Sequence, residues 1–176
     1  MSFRIVLDKE NFKFSCSHFT IFSADAAERL HGHNYYVSTQ FTLKDIAADI
    51  GMAFDFGEIK PIIRKIVDSL DERVLVPLNS PHLRVTKADE VLEGSLSMPS
   101  IRVQFARKVY IFPSDDVFLM PCSNITSEEL ARWVASSLAT DLNRAGLAKK
   151  IVNVGVGVQE TRGQSVWYDQ VLDVKT

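Results

Sequence analysis

Along residues 3–19 apolar side chains fall at roughly every second position, with Phe12, Phe14, Cys16 and His18 on one parity. A period of two marks a strand with one face on a core, so a half-buried strand is expected here. Residues 34–43, NYYVSTQFTL, have the same character and read as its partner. Between them FSADAAERLHGH forms a long irregular connection able to fold over a site. The period then changes. Ile59, Ile62, Ile63, Ile66, Val67 and Leu70 recur at helical spacing and predict an amphipathic helix over 58–70, with Pro61 in its first turn, where an amide donor is not missed. Residues 126–129, TSEE, have the form of a capping box ahead of Leu130, Trp133, Val134, Leu138 and Leu142, which predicts a second helix ending near Gly146.

Residues 99–121 contain VQFARKVYIF and DVFLMP around PSDD, which reads as a hairpin with Pro113 and the aspartates at the turn. IVNVGVGVQET is the last strand expected. Strands early, two helices in the middle and a strand late predict an α+β fold, with an antiparallel sheet and both helices on one face. With no internal repeat or linker in view, residues 1–176 are expected to form one domain, of ordinary size for a chain with 46% hydrophobic residues.

Charge and cysteine content narrow the function classes. A formal charge of −2, with the charges interspersed, offers no basic surplus for nucleic acid. No segment approaches the roughly 18 apolar residues of a membrane span, and the start alternates charged and apolar residues unlike a signal peptide. Two distant cysteines, Cys16 and Cys122, suggest no disulfide framework, so a cytoplasmic protein is expected.

The candidate chemistry lies in histidines. His31 and His33 are two apart in LHGHNY, and in extended chain such side chains point the same way. His18 would join them from the neighbouring strand. Three neutral imidazoles with an open fourth position are what a catalytic Zn²⁺ uses as a Lewis acid. Taken alone, a His-x-His pair is more often structural than metal-binding.

Six segments in order carry a more specific signal: FSCSHF, RLHGHNY, GMAFDFGEIK, LDERVL, ITSEELARW and VQET. Together they resemble the motifs of the 6-pyruvoyl-tetrahydropterin synthase and 6-carboxytetrahydropterin synthase family. The resemblance implies the tunnelling fold, zinc held by His18, His31 and His33, and a reduced pterin such as 7,8-dihydroneopterin triphosphate anchored by Glu160. A carboxylate suits that anchor because the aminopyrimidinone edge presents adjacent N–H donors. Glu128 and Thr126 are further candidates for the pterin pocket, with a solvated helix face and a plain N-cap as their structural alternatives. Asp55 reads as a helix cap. The resemblance also implies assembly into a homotrimer or homohexamer, which would close exposed sheet edges.

The chain departs from the family at two positions. The family's base cysteine, four before the first histidine of His-Gly-His, is Ala27 here, and its aspartate–histidine relay reads Asp71–Glu72. Glu28 gives Glu-x-x-His-Gly-His, which resembles a subgroup in which glutamate replaces the cysteine and a side-chain carbon–carbon bond is broken. Glu28 as general base, its pKa lifted by burial, and Asp71 as orienting or relaying group are the expected catalytic pair. Against this stand a solvated ERLH loop and lost chemistry with retained binding. Cys16 reads as a buried filler and His82 as a loop histidine, although either could stand in for a missing base. Residues 81–121 are longer than the short link of many family members.

Overall fold

The computed structural model describes residues 2–91, 97–161 and 163–172. The fold is α+β, with both expected helices present: α1 at Phe56–Asp68 and α2 at Ser127–Arg144. The main sheet has β1 (Phe3–His18), β2 (His31–Leu43), β3 (Arg73–Pro77), β7 (Val117–Met120), β8 (Ile151–Thr161) and β9 (Gln164–Val171) in the order β7-β3-β1-β2-β8-β9. Strands β1, β2, β8 and β9 pair antiparallel. The sheet is extended by β3, parallel to β1 through only Cys16–Arg73 and Ser17–Val74, and by β7, parallel to β3. A second sheet, β4-β5-β6, comprises β4 (Arg84–Val91), β5 (Ser97–Phe105) and β6 (Lys108–Pro113).

Burial in β1 follows the predicted parity from Phe12 to His18, but Leu7 is buried on the opposite parity. An irregularity between Asp8 and Lys13, where five steps along β1 are set against the two from Ser38 to Tyr36, leaves an odd number of unmatched residues and so changes the face. The buried side chains of β1, β2 and β8 meet Ile59, Ile63, Ile66 and Val67 of α1 and the apolar stripe of α2 in one core. Each such side chain, fully withdrawn from water, contributes about 1.5–3 kcal/mol. Glycine at 157 is required by packing: a Cβ there would come within 2.6 Å of the Trp167 ring, which lies against β8.

Two local expectations are corrected. Pro61 lies past the first turn of α1, which begins at Phe56 because Asp55 caps it, its carboxylate accepting from the Gly57 amide at 2.8 Å. The hairpin turn is at Ala106–Arg107, not at PSDD. Ser114–Asp116 is instead a single 3-10 turn that carries the chain from the small sheet into β7.

Candidate functional site

The β1–β2 register sets His18 opposite His31 and Cys16 opposite His33. His18, His31 and His33 each offer a ring nitrogen, and these atoms lie within 4.8 Å of one another. His18 is buried, and burial foremost, then the neighbouring imidazoles, pushes its pKa down to about 4, so the ring is neutral at pH 7. His31 Nδ1 is 2.7 Å from the Arg29 carbonyl. A carbonyl only accepts, so Nδ1 carries a proton, which in the neutral ring leaves Nε2 as the nitrogen with the lone pair. Buried His18 Nδ1 has no hydrogen-bond partner among the described residues. Three clustered imidazoles, one held neutral and one with its tautomer fixed by a carbonyl, fit a Zn²⁺ ligand set.

The trio opens into a cleft of about 370 Å³, bounded by the ends of β1, β2 and β8, the start of β9 and the first turn of α2. Glu28, Thr126, Glu128 and Glu160 all line it. Glu160 Oε1 is 3.1 Å from His33 Nε2 and accepts from the Tyr35 hydroxyl at 3.1 Å. The Tyr35 oxygen is also 3.0 Å from His18 Nε2. Tyr35, buried with its hydroxyl pKa raised by burial and then by Glu160, thus ties the third histidine to the acidic wall. Sequence reading missed it, although its parity with His31 and His33 was there to be used. Thr126 caps α2, its hydroxyl accepting from the Glu129 amide at 3.4 Å, and the residue also lines the cleft.

Glu28 lies 3.9 Å from His31 Nε2 and accepts from the Thr20 amide at 3.0 Å. Desolvation pushes its carboxyl up, but hydrogen bonds from Thr20 and the nearby His31 and His18 outweigh it, so the group lies below the ordinary glutamate range. This reverses the expectation of a base lifted toward neutrality: burial is the largest single influence on Glu28, but the Thr20 hydrogen bonds and the two histidines together exceed it.

Asp71 is not among the residues lining this cleft within one chain. It accepts from the Ser15 amide at 2.7 Å, while the Glu72 amide donates to the Ser15 carbonyl, so the LDER segment is laced to β1. Glu72 itself adopts φ 55°, in the left-handed region. Cys16 is buried, and burial raises its thiol to about 12; burial likewise raises Cys122 to about 11. Neither thiol is ionised at neutral pH. His82 is exposed in the link between β3 and β4, away from the cleft.

The model of the family described as 6-pyruvoyl tetrahydropterin synthase matches residues 7–171. The chain belongs to this family. Within it, a Methanocaldococcus jannaschii protein named "Putative 6-carboxy-5,6,7,8-tetrahydropterin synthase" is 31% identical over 163 residues, 93% of each chain. A Pyrococcus horikoshii protein of the same name is 27% identical over 156 residues, covering 86% of this chain and 85% of its own. In fold, the chain is similar to the 6-pyruvoyl tetrahydropterin synthase of Plasmodium vivax, with TM-score 0.85 and 24% identity over 97% of this chain and 99% of that one. A variant of that enzyme with a catalytic glutamate replaced by alanine has the same TM-score at 23% identity, with the same coverage. Family membership makes this an enzyme of the tetrahydropterin synthase type, and its fold agrees. Among the described residues no helix is long and apolar enough to cross a membrane.

Proposed function

We propose that this chain is a zinc-dependent lyase that breaks a side-chain carbon–carbon bond of a reduced pterin such as 7,8-dihydroneopterin triphosphate. One observation carries the reading: a carboxylate, Glu28, stands beside His31 where the family's thiol base is replaced by Ala27. His18, His31 and His33 would hold Zn²⁺, which when bound supplies a Lewis acid for a side-chain oxygen. The Plasmodium vivax variant supports a glutamate as a catalytic group in a protein of this fold.

The Glu28 carboxylate takes the proton of the hydroxyl on the second side-chain carbon. That oxygen's electron pair becomes the carbonyl of a departing aldehyde as the bond to the first carbon breaks. The electrons of the broken bond pass to the first carbon, conjugated with the ring C=N bond, and Glu28 returns its proton there. The products are 6-hydroxymethyl-dihydropterin and a two-carbon aldehyde, with no redox change. Asp71, held by the Ser15 amide outside the cleft of its own chain, would act as an orienting or relaying group only at the cleft of a second copy.

Incubating the zinc-loaded protein with dihydroneopterin triphosphate and identifying every product by mass tests this directly. The hydroxymethyl product and its aldehyde are expected; a 6-pyruvoyl product, or pterin recovered unchanged, would sink the reading. The name carried by the archaeal relatives favours a second reading, a 6-carboxytetrahydropterin synthase with substituted bases. The raised thiol pKa values weigh against a cysteine route to it.

Glu160 anchors the pterin by accepting two adjacent N–H donors, with Glu128 and Thr126 beside it in the cleft. Calorimetry on Glu160→Ala is expected to show binding weaker by about 2–4 kcal/mol, since the ligand's buried donors lose their partner. Unchanged affinity would move the anchor elsewhere. For the assembly we infer a homotrimer or homohexamer, supported by the open edges at β7 and β9 and by exposed Val6, Tyr36 and Trp167. Light scattering that finds only monomer at micromolar concentration would exclude it.

A further inference from the structure

Glu28 sits on a loop, and a base is useful only where something fixes it. The loop's internal bonding is close. Ile21 forms an antiparallel bridge with Ala27, the Thr20 amide donates to the Glu28 carboxylate, and the Glu28 amide donates to the Thr20 carbonyl at 2.9 Å. Position is therefore passed from Ile21 to Glu28 through one rung of backbone. The question is what holds Ile21.

The answer lies outside the loop, just before α2. Asn124 Oδ1 accepts from the Ile21 amide at 3.0 Å, and Asn124 Nδ2 donates to the Ile21 carbonyl at 2.9 Å. One side-chain amide thus pairs with both polar groups of one residue, as a neighbouring strand would. Oδ1 also accepts from the Ile125 amide at 3.1 Å, and the Thr20 hydroxyl donates to the Ile125 carbonyl at 3.3 Å. Among the described residues, the hydrogen bonds that leave residues 19–28 for distant parts of the chain all end on Asn124 and Ile125. Beneath the loop, Phe19 stacks on Tyr110 with ring centroids 5.6 Å apart, and Phe19 and Ile21 share a core with Ile101, Val103 and Phe105 of the small sheet. That apolar floor supports the loop but lacks direction; the amide pair supplies it.

We propose that Asn124 is a positioning residue for Glu28, clamping the base-bearing loop to the end of α2 that carries Thr126 and Glu128. The assignment of a base to Glu28 rests on the reading above; the clamp itself does not. Because the same few residues join the base and the α2 wall of the cleft, loosening Asn124 separates the base from the bound pterin without touching Glu160 or the histidines.

Two variants and two readouts test it on the full chain. Asn124→Ala removes both bonds, and Asn124→Asp keeps the acceptor but sets a carboxylate oxygen against the Ile21 carbonyl. In both, amide exchange at residues 20–28 is expected to quicken at least about tenfold while β8 and the middle of α2 stay protected. Turnover is expected to fall about tenfold or more with KM and zinc content unchanged. In a Glu28→Ala background, Asn124→Ala is expected to cost nothing further, the signature of one residue acting through another. Unchanged exchange in the loop overturns the clamp whatever the reaction proves to be. Quickened exchange with a turnover loss that persists in full in the Glu28→Ala background overturns the route through Glu28. Absence of the hydroxymethyl product in the unmodified protein strikes the proposed reaction alone, and the exchange readout still decides the clamp.

Discussion

Glu28→Gln is expected to lower turnover about 10²- to 10⁴-fold, the usual weight of a positioned general base. Glutamine keeps the shape of the side chain, and its carbonyl can still accept from the Thr20 amide that holds Glu28 now. It cannot take a proton from a substrate hydroxyl. Alternative bases within the chain are poor. Both thiols are held protonated by burial, His82 lies outside the cleft, and Asp71 is engaged with the Ser15 amide. Zinc content and pterin affinity should be unchanged, because Glu28 is neither a member of the histidine trio nor the proposed anchor. Turnover that persists undiminished would strip the glutamate of its role, and Asp71 would be the next residue to replace.

The parts of this fold legible in sequence were those with a strong period. The parity of residues 12–18, the α1 and α2 stripes and the His-x-His spacing each follow from a regular backbone, and the structure repeats them. What escaped is where regularity breaks or signal is short. The irregularity between Asp8 and Lys13 falls in DKEN, four polar residues that interrupt the alternation without showing where pairing resumes. Strand β3 joins β1 through two residue pairs, too few to show as a pattern. The hairpin turn at Ala106–Arg107 carries no glycine, proline or asparagine although Ala106 adopts φ 48°, so the conspicuous PSDD drew the turn to itself. Strand β9 was missed because its inward face, Val166, Tyr168 and Gln170, is only half-buried and partly polar. At the site, the residue types were readable but their partners were not. The Tyr35 bridge and the Asn124 clamp depend on contacts across 17 to more than 100 residues of sequence.

Purified protein is expected to carry about one zinc per chain, and His31→Ala with His33→Ala is expected to reduce it to background. The argument rests on what remains after substitution. A single imidazole, His18, holds a metal far more weakly than three converging ones, and each lost ligand also removes the fixed geometry that made the others cooperate. The apolar packing around His18 should survive, since His31 and His33 are only partly buried at the cleft rim. Folding can be read separately. A ligand present at a thousand times its Kd stabilises the native state by about 4 kcal/mol, so chelation should lower the Tm of the unmodified protein by about 8–16 °C. The double variant should melt near that chelated value and should not respond to chelator or to added zinc. Retention of full zinc content in the double variant would place the metal elsewhere. A Tm indifferent to chelation in the unmodified protein would show that the three imidazoles hold no metal of structural consequence.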